Sequence, residues 1–161
     1  MTALVIEVAD GTELTQADVD TAGEGAIFNI REGGRVEDNT RIKNSTLNVY
    51  GGAVGDFVVV ASKSEVNIYD GNIGTNFHAV DSTVNISGGN VDDGFAAVMR
   101  STVNISGGSI GEYFEVLSHS TVNASGGTIN KGFRLSENST LKIAGTLSAD
   151  DVRITPCADE D

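Results

Sequence analysis

Asp93 and Glu112 lie 19 residues apart, at equivalent positions of two consecutive copies of a repeat. If equivalent positions stack, their carboxyl groups fall about 5 Å apart, near the separation of a retaining glycosidase pair. Two such carboxylates also suit a shared Ca²⁺. The competing reading is a solvated acidic edge, since Asp56 and Asp92 fall on the same corner and no inserted loop forms a cleft there. That reading is preferred, so no catalytic residue is assigned. In an enzyme, Asp93 and Glu112 would act, with Arg100 or Arg134 steering an acidic substrate. His78 and His119 occupy different repeat positions and make no ligand set. No metal site or cofactor is expected, and no nucleophile–base pair, phosphate loop or dinucleotide fingerprint occurs.

Two further surfaces invite contact with other molecules. One carries Tyr50 and Tyr69 beside Asn48, Asn67 and Asn85. Amides, hydroxyls and a flat ring suit a sugar chain, although in-register Asn and Thr also bond along their own columns and stiffen a sheet. The second shows Phe57, Val59, Ala96 and Tyr113 on the outward side of another strand. An exposed apolar stripe marks contact, and a homo-oligomer, most simply a trimer, is the expected use. A shelf for a terminal segment is the alternative.

The repeat positions all of these residues. STVNISGG begins at Ser82 and Ser101 and recurs as STVNASGG at Ser120, with weaker copies at Ser45, Ser64 and Ser139. A period of about 19 residues marks a solenoid. Counting from each Ser, positions 3 and 5 are apolar in every copy, as in Val84/Ile86 and Val103/Ile105. Period-two alternation predicts a strand with one buried face. Gly-Gly then supplies a corner, followed by one buried aliphatic (Val54, Ile73, Val91, Ile110, Ile129). A second corner leads to an inward Phe (Phe77, Phe95, Phe114, Phe133), with Val58 and Val152 standing in.

The predicted fold is all-β: a single-stranded parallel β-helix with short strands on about three faces. Right-handed winding is expected, because parallel crossovers overwhelmingly take that hand. Roughly eight coils about 4.8 Å apart make a rod about 38 Å long. Residues 26–157 carry the repeat, and Ala26 to Asn44 fits it with Phe28, Ile30, Val36 and Ile42 inward. Residues 1–25 form a cap and an irregular first coil. There Thr15-Gln16-Ala17-Asp18 resembles a capping box that starts a helical turn over the open end. Residues 158–161 are an acidic, frayed tail.

Composition limits the partners. A formal charge of −13 excludes the basic surface that nucleic acid or an anionic membrane needs. The single cysteine, Cys157, leaves no intrachain disulfide. The N-terminal MTALVIEVADG has neither the basic region nor the apolar run of a signal peptide.

The S-T-V-N-I-S-G-G-x-V-G-x-x-F unit resembles the parallel β-helix repeats of bacterial surface proteins, autotransporter-type adhesins and phage tail proteins. More distantly it looks like pectate-lyase-type polysaccharide enzymes. The resemblance covers about Ala26 to Thr155 and implies rods, often trimeric, that display or bind polysaccharide at a cell surface or on a virion. It carries over no catalytic motif. The expected function is therefore a non-catalytic structural or adhesive module, with glycan binding as a use of its surface and a polysaccharide lyase or glycoside hydrolase as the alternative.

Overall fold

A computed structural model describes residues 2–136, 138–146, 148–149 and 153–155, without side-chain detail for 149 and 153–155. Val152, Cys157 and the 158–161 tail lie outside the described residues. The chain winds as a parallel β-solenoid. Described strands pair in parallel with their equivalents in the neighbouring coils, on both sides except at the two ends of each sheet. The repeat's register is kept: Val84 pairs Val103, Asn85 pairs Asn104 and Ile86 pairs Ile105. The next coil continues it through Val122, Asn123 and Ala124.

Three faces result. The first strand of each coil (Thr83–Ile86, Thr102–Ile105, Thr121–Ala124) and the short second strand (Asn90–Val91, Ser109–Ile110, Thr128–Ile129) merge into one 14-stranded sheet. The third strands form a separate seven-stranded sheet that starts at Arg41–Lys43. Seven turns therefore have a complete third face. The first coil lacks one because the helix Gln16–Ala22 takes that place.

That helix begins as the sequence predicts, with a reciprocal capping box between Thr15 and Asp18. It buries Val19. Its first residue also closes the solenoid's edge: Gln16 Oε1 accepts from the Arg41 backbone N–H at 2.6 Å, and Gln16 Nε2 donates to the Arg41 carbonyl at 3.3 Å. One side-chain amide thus substitutes for the peptide group of a missing strand. An open edge would otherwise template pairing with another chain.

The interior is made of columns. Leu47, Val66, Val84, Val103 and Val122 are all fully buried. Phe28, Ile30, Val36 and Ile42 are also buried, which extends the solenoid back through residues 26–44 as expected. The aromatic column runs Phe77, Phe95, Phe114, Phe133. Phe95 and Phe114 stack with centroids 4.7 Å apart and planes 5° from parallel, while the outer pairs tilt by 45°. Below it the same column continues through Val58 and then Thr40, a buried hydroxyl that donates to the Glu37 carbonyl at 2.7 Å.

The two glycines of the first corner do different jobs. Gly89 has φ +73°, a conformation that L side chains rarely adopt. Gly88 is held by proximity, because a Cβ there would sit 2.3 Å from the Tyr69 carbonyl oxygen of the coil beneath. At the third corner the repeat serines turn inward: Ser64, Ser101 and Ser120 are buried, and the Ser120 hydroxyl accepts from the Ser101 N–H at 3.1 Å. Among the described residues no helix is long and apolar enough to cross a membrane.

Candidate functional site

The second corner places Asp93 and Glu112 one above the other, as their spacing requires, but the contact is not carboxyl to carboxyl. Asp93 Oδ1 accepts the backbone N–H of Glu112 at 2.7 Å. Asp56 does the same for the Thr75 N–H at 2.7 Å, and Asp38 for the Asp56 N–H at 2.9 Å. These aspartates are caps that tie each corner to the next. The Asp56 N–H and the Arg35 guanidinium hold the Asp38 carboxyl below the usual aspartate range, the N–H contributing more.

Neither arginine considered for steering converges on this pair. Arg134 is bound to Glu115 at 3.2 Å on the seven-stranded sheet. Arg100 lies at the third corner, in the left-handed region with φ +64°. Among the described residues, no three His, Cys, Asp or Glu side chains group as a metal would need.

On the first strand, the outward asparagines form a continuous hydrogen-bonded ladder. Asn48 Nδ2 donates to Asn29 Oδ1 at 2.8 Å, Asn67 to Asn48 at 3.0 Å, and Asn85 to Asn67 at 2.8 Å. Asn104 and Asn123 extend it at 2.8 Å each. Every amide donates toward the N-terminal end, so the side-chain dipoles align. The ladder's positive end meets a carboxylate, since Asn29 Nδ2 donates to Glu7 Oε1 at 2.6 Å. Its other end lies opposite Lys142, the register partner of Asn123. That hydrogen bond, and then Arg31, hold the Glu7 carboxyl below its ordinary range. Asn48, Asn67 and Asn85 thus stiffen the sheet; Asn48 and Asn67 each keep a second amide N–H beyond the ladder bond, whereas Asn85 Nδ2 also donates to Glu65 Oε1 at 3.5 Å.

Beside the ladder, Tyr50 and Tyr69 stack with centroids 4.9 Å apart and planes 7° from parallel. The Arg31 guanidinium covers the other face of Tyr50 at 4.1 Å and is itself held by Glu7 at 3.0 Å. This cation–π cap was not evident in the sequence, because it joins unlike residues at one position of consecutive coils, one residue past the Ile30–Val49 pair. Tyr69 remains 49% exposed. In the following coils small serines take its place, Ser87 first, since Ile68 pairs Ile86. Past Tyr69 a shallow groove of about 540 Å³ runs along the rod, lined by Asn85, Asn104, Asn123, Ser87, Ser106, Ser125 and, at its far end, Lys142.

The expected apolar stripe divides into two columns. Val59, His78, Ala96 and Glu115 share one, in ladder register, so charged and polar residues interrupt the apolar ones. Ala96 is only 8% exposed, contrary to its assignment to an exposed stripe. Its single methyl lies between the longer side chains of His78 and Glu115. Phe57 and Tyr113 belong instead to the corner just before the strand, at φ +57° and +60°, and are 53% and 62% exposed. Comparison with protein-family models, curated proteins and solved structures finds no match for this chain.

Proposed function

We propose that this chain is a non-catalytic structural and adhesive β-helix module, of the kind found in bacterial surface or phage tail proteins, which holds a polysaccharide lengthwise on its asparagine face. The observation that carries this reading is the groove beyond Tyr69. There the second amide N–H groups of Asn104 and Asn123 repeat along one rigid sheet as donors, and the hydroxyl oxygens of Ser87, Ser106 and Ser125, whose O–H groups donate to the Ile68, Ile86 and Ile105 carbonyls, repeat as acceptors. A sugar chain needs such an array of donors and acceptors with a flat ring for an apolar sugar face. The ladder bonds fix the array before any ligand arrives, which lowers the ordering cost of binding. Capping by Asp93 favours a scaffold over a catalyst at the second corner, because its Oδ1 is already committed to the Glu112 N–H.

The test is calorimetric titration of a panel of neutral and acidic bacterial polysaccharides into the wild type and Tyr69→Ala. Loss of stacking is worth about 1 kcal/mol, so affinity should fall roughly fivefold, with melting temperature nearly unchanged. Absence of binding across the panel, or equal affinity in the variant, would remove this reading.

A further inference from the structure

A second recess lies on the opposite flank, between the helix Gln16–Ala22 and the start of the seven-stranded sheet. It measures about 730 Å³. Its sheet side presents Arg41, Lys43, Phe57 and Val59, and its helix side presents Asp20 and Glu24. Phe57 is the unexpected member. It occupies a left-handed corner position where other coils place Asn39, Asn76, Gly94 and Gly132 and, in one coil, Tyr113. Asparagine and glycine enter that region readily. A bulky side chain does not. The ring is also 53% exposed, and it stacks on no other ring among the described residues. Backbone strain and exposure together are features that accumulate at binding sites.

The charges indicate what would rest on that ring. Arg41 and Lys43 form no ion pair among the described residues, although acidic residues outnumber basic ones 23 to 10. Across the recess Glu24 is likewise outside every ion pair described, and Asp20 only accepts a 2.8 Å hydrogen bond from Gln16 Nε2. The carboxylates of the helix side, the Arg41 and Lys43 cations of the sheet's edge strand, and the apolar pair Phe57 and Val59 one coil further on follow one another across the recess. We propose that this recess binds a short peptide zwitterion with an aromatic or large aliphatic side chain. Its terminal carboxylate meets Arg41 and Lys43, its ammonium meets Asp20 and Glu24, and its side chain lies against Phe57 and Val59. Charge-assisted hydrogen bonds at both ends supply orientation, and the apolar contact supplies affinity. The assignment does not depend on the groove beyond Tyr69.

The experiment titrates the full chain with the tripeptide Ala-Phe-Ala in four forms: free at both ends, N-acetylated, C-amidated, and blocked at both. The free form is expected to bind, with at least a tenfold loss on blocking either end. Phe57→Asn restores the residue used at 39 and 76, so it should fold at least as well as the wild type. It should bind the free peptide at least tenfold more weakly, while Tyr69→Ala binds it normally. Failure of the free form to bind, a block at either end that leaves affinity unchanged, or an unaffected Phe57→Asn would each overturn the proposal. Loss of peptide binding in Tyr69→Ala would also overturn it, by moving the ligand to the other face.

Discussion

The Asp93 carboxylate reaches across to the coil above and accepts the Glu112 N–H at 2.7 Å, and the residue before Glu112 is Gly111. A Cβ at Gly111 would lie 2.5 Å from Asp93 Oδ1. The same pairing recurs wherever the cap is an aspartate. Asp38 faces Gly55, at 2.2 Å from a Cβ built there, and Asp56 faces Gly74, at 2.5 Å. Where the cap is absent the glycine is absent too: Thr75 is followed one coil later by Asp92, and Glu112 by Asn130. A short acceptor draws the two corners together, and the close approach leaves no room for a side chain.

This coupling gives a double-mutant cycle. Gly111→Asp alone should destabilise by about 2–4 kcal/mol, because the added side chain meets both Oδ1 and the backbone of the coil below. Asp93→Thr alone should cost about 1 kcal/mol for the lost cap. Together they reproduce the Thr75–Asp92 arrangement, and the pair should cost less than the sum by about 1 kcal/mol or more. Urea denaturation of the four proteins measures it. Simple additivity would mean that the Asp–Gly correspondence is coincidental.

The columns make a sharper contrast. Phe95 is fully buried and stacked between Phe77 and Phe114, so Phe95→Ala should cost about 3–5 kcal/mol through the cavity it opens. Thr102 faces outward and is only partly buried, so Thr102→Ala should cost well under about 1 kcal/mol. Comparable losses in denaturant melts would contradict the inward and outward assignment of the coil.

What could be read from the sequence followed from repetition. Val84, Val103 and Val122 recur at one position, and so do the four phenylalanines, so both strand register and core columns were legible without coordinates. The Thr15–Asp18 capping box was legible as well, because it is local. Relations between neighbouring coils that use different residue types were not. Asp93 with Gly111 looks like ordinary turn composition, and Gln16 with Arg41 spans 25 residues and a change from helix to strand. Ala96 was misplaced for another reason: periodicity gives the direction of a side chain, whereas exposure also depends on its size and its neighbours in the column.

Stability should fall in acid. Glu7, Asp18 and Asp38 are all held below their ordinary values, mainly by hydrogen bonds from Asn29, from Thr15 and from the Asp56 N–H respectively. A carboxyl with a depressed folded-state pKa contributes stability that is complete above its unfolded value. That contribution is lost as pH falls through the folded value. The decline should therefore begin near pH 4.5 for Glu7 and 3.8 for the two aspartates and continue below. Melting temperature against pH should drop more steeply in the wild type than in Asp38→Asn, and the two curves should converge in strong acid. Parallel curves would exclude Asp38 as a contributor.

The solenoid's edge is protected by one side chain, and its removal should be visible at one amide. Gln16 Oε1 accepts the Arg41 N–H at 2.6 Å, at the start of the seven-stranded sheet. Gln16→Ala leaves the helix intact, since the capping box belongs to Thr15 and Asp18, but it returns the Arg41 N–H and carbonyl to solvent. Exchange of the Arg41 amide should speed up by about fivefold, equivalent to the roughly 1 kcal/mol of one hydrogen bond. Amides deeper in the sheet, such as Val60 and Ala79, should keep their rates. An exposed edge also pairs with other chains, so the variant should self-associate at lower concentration than the wild type. Unchanged exchange at Arg41 would show that the edge is protected by something other than Gln16.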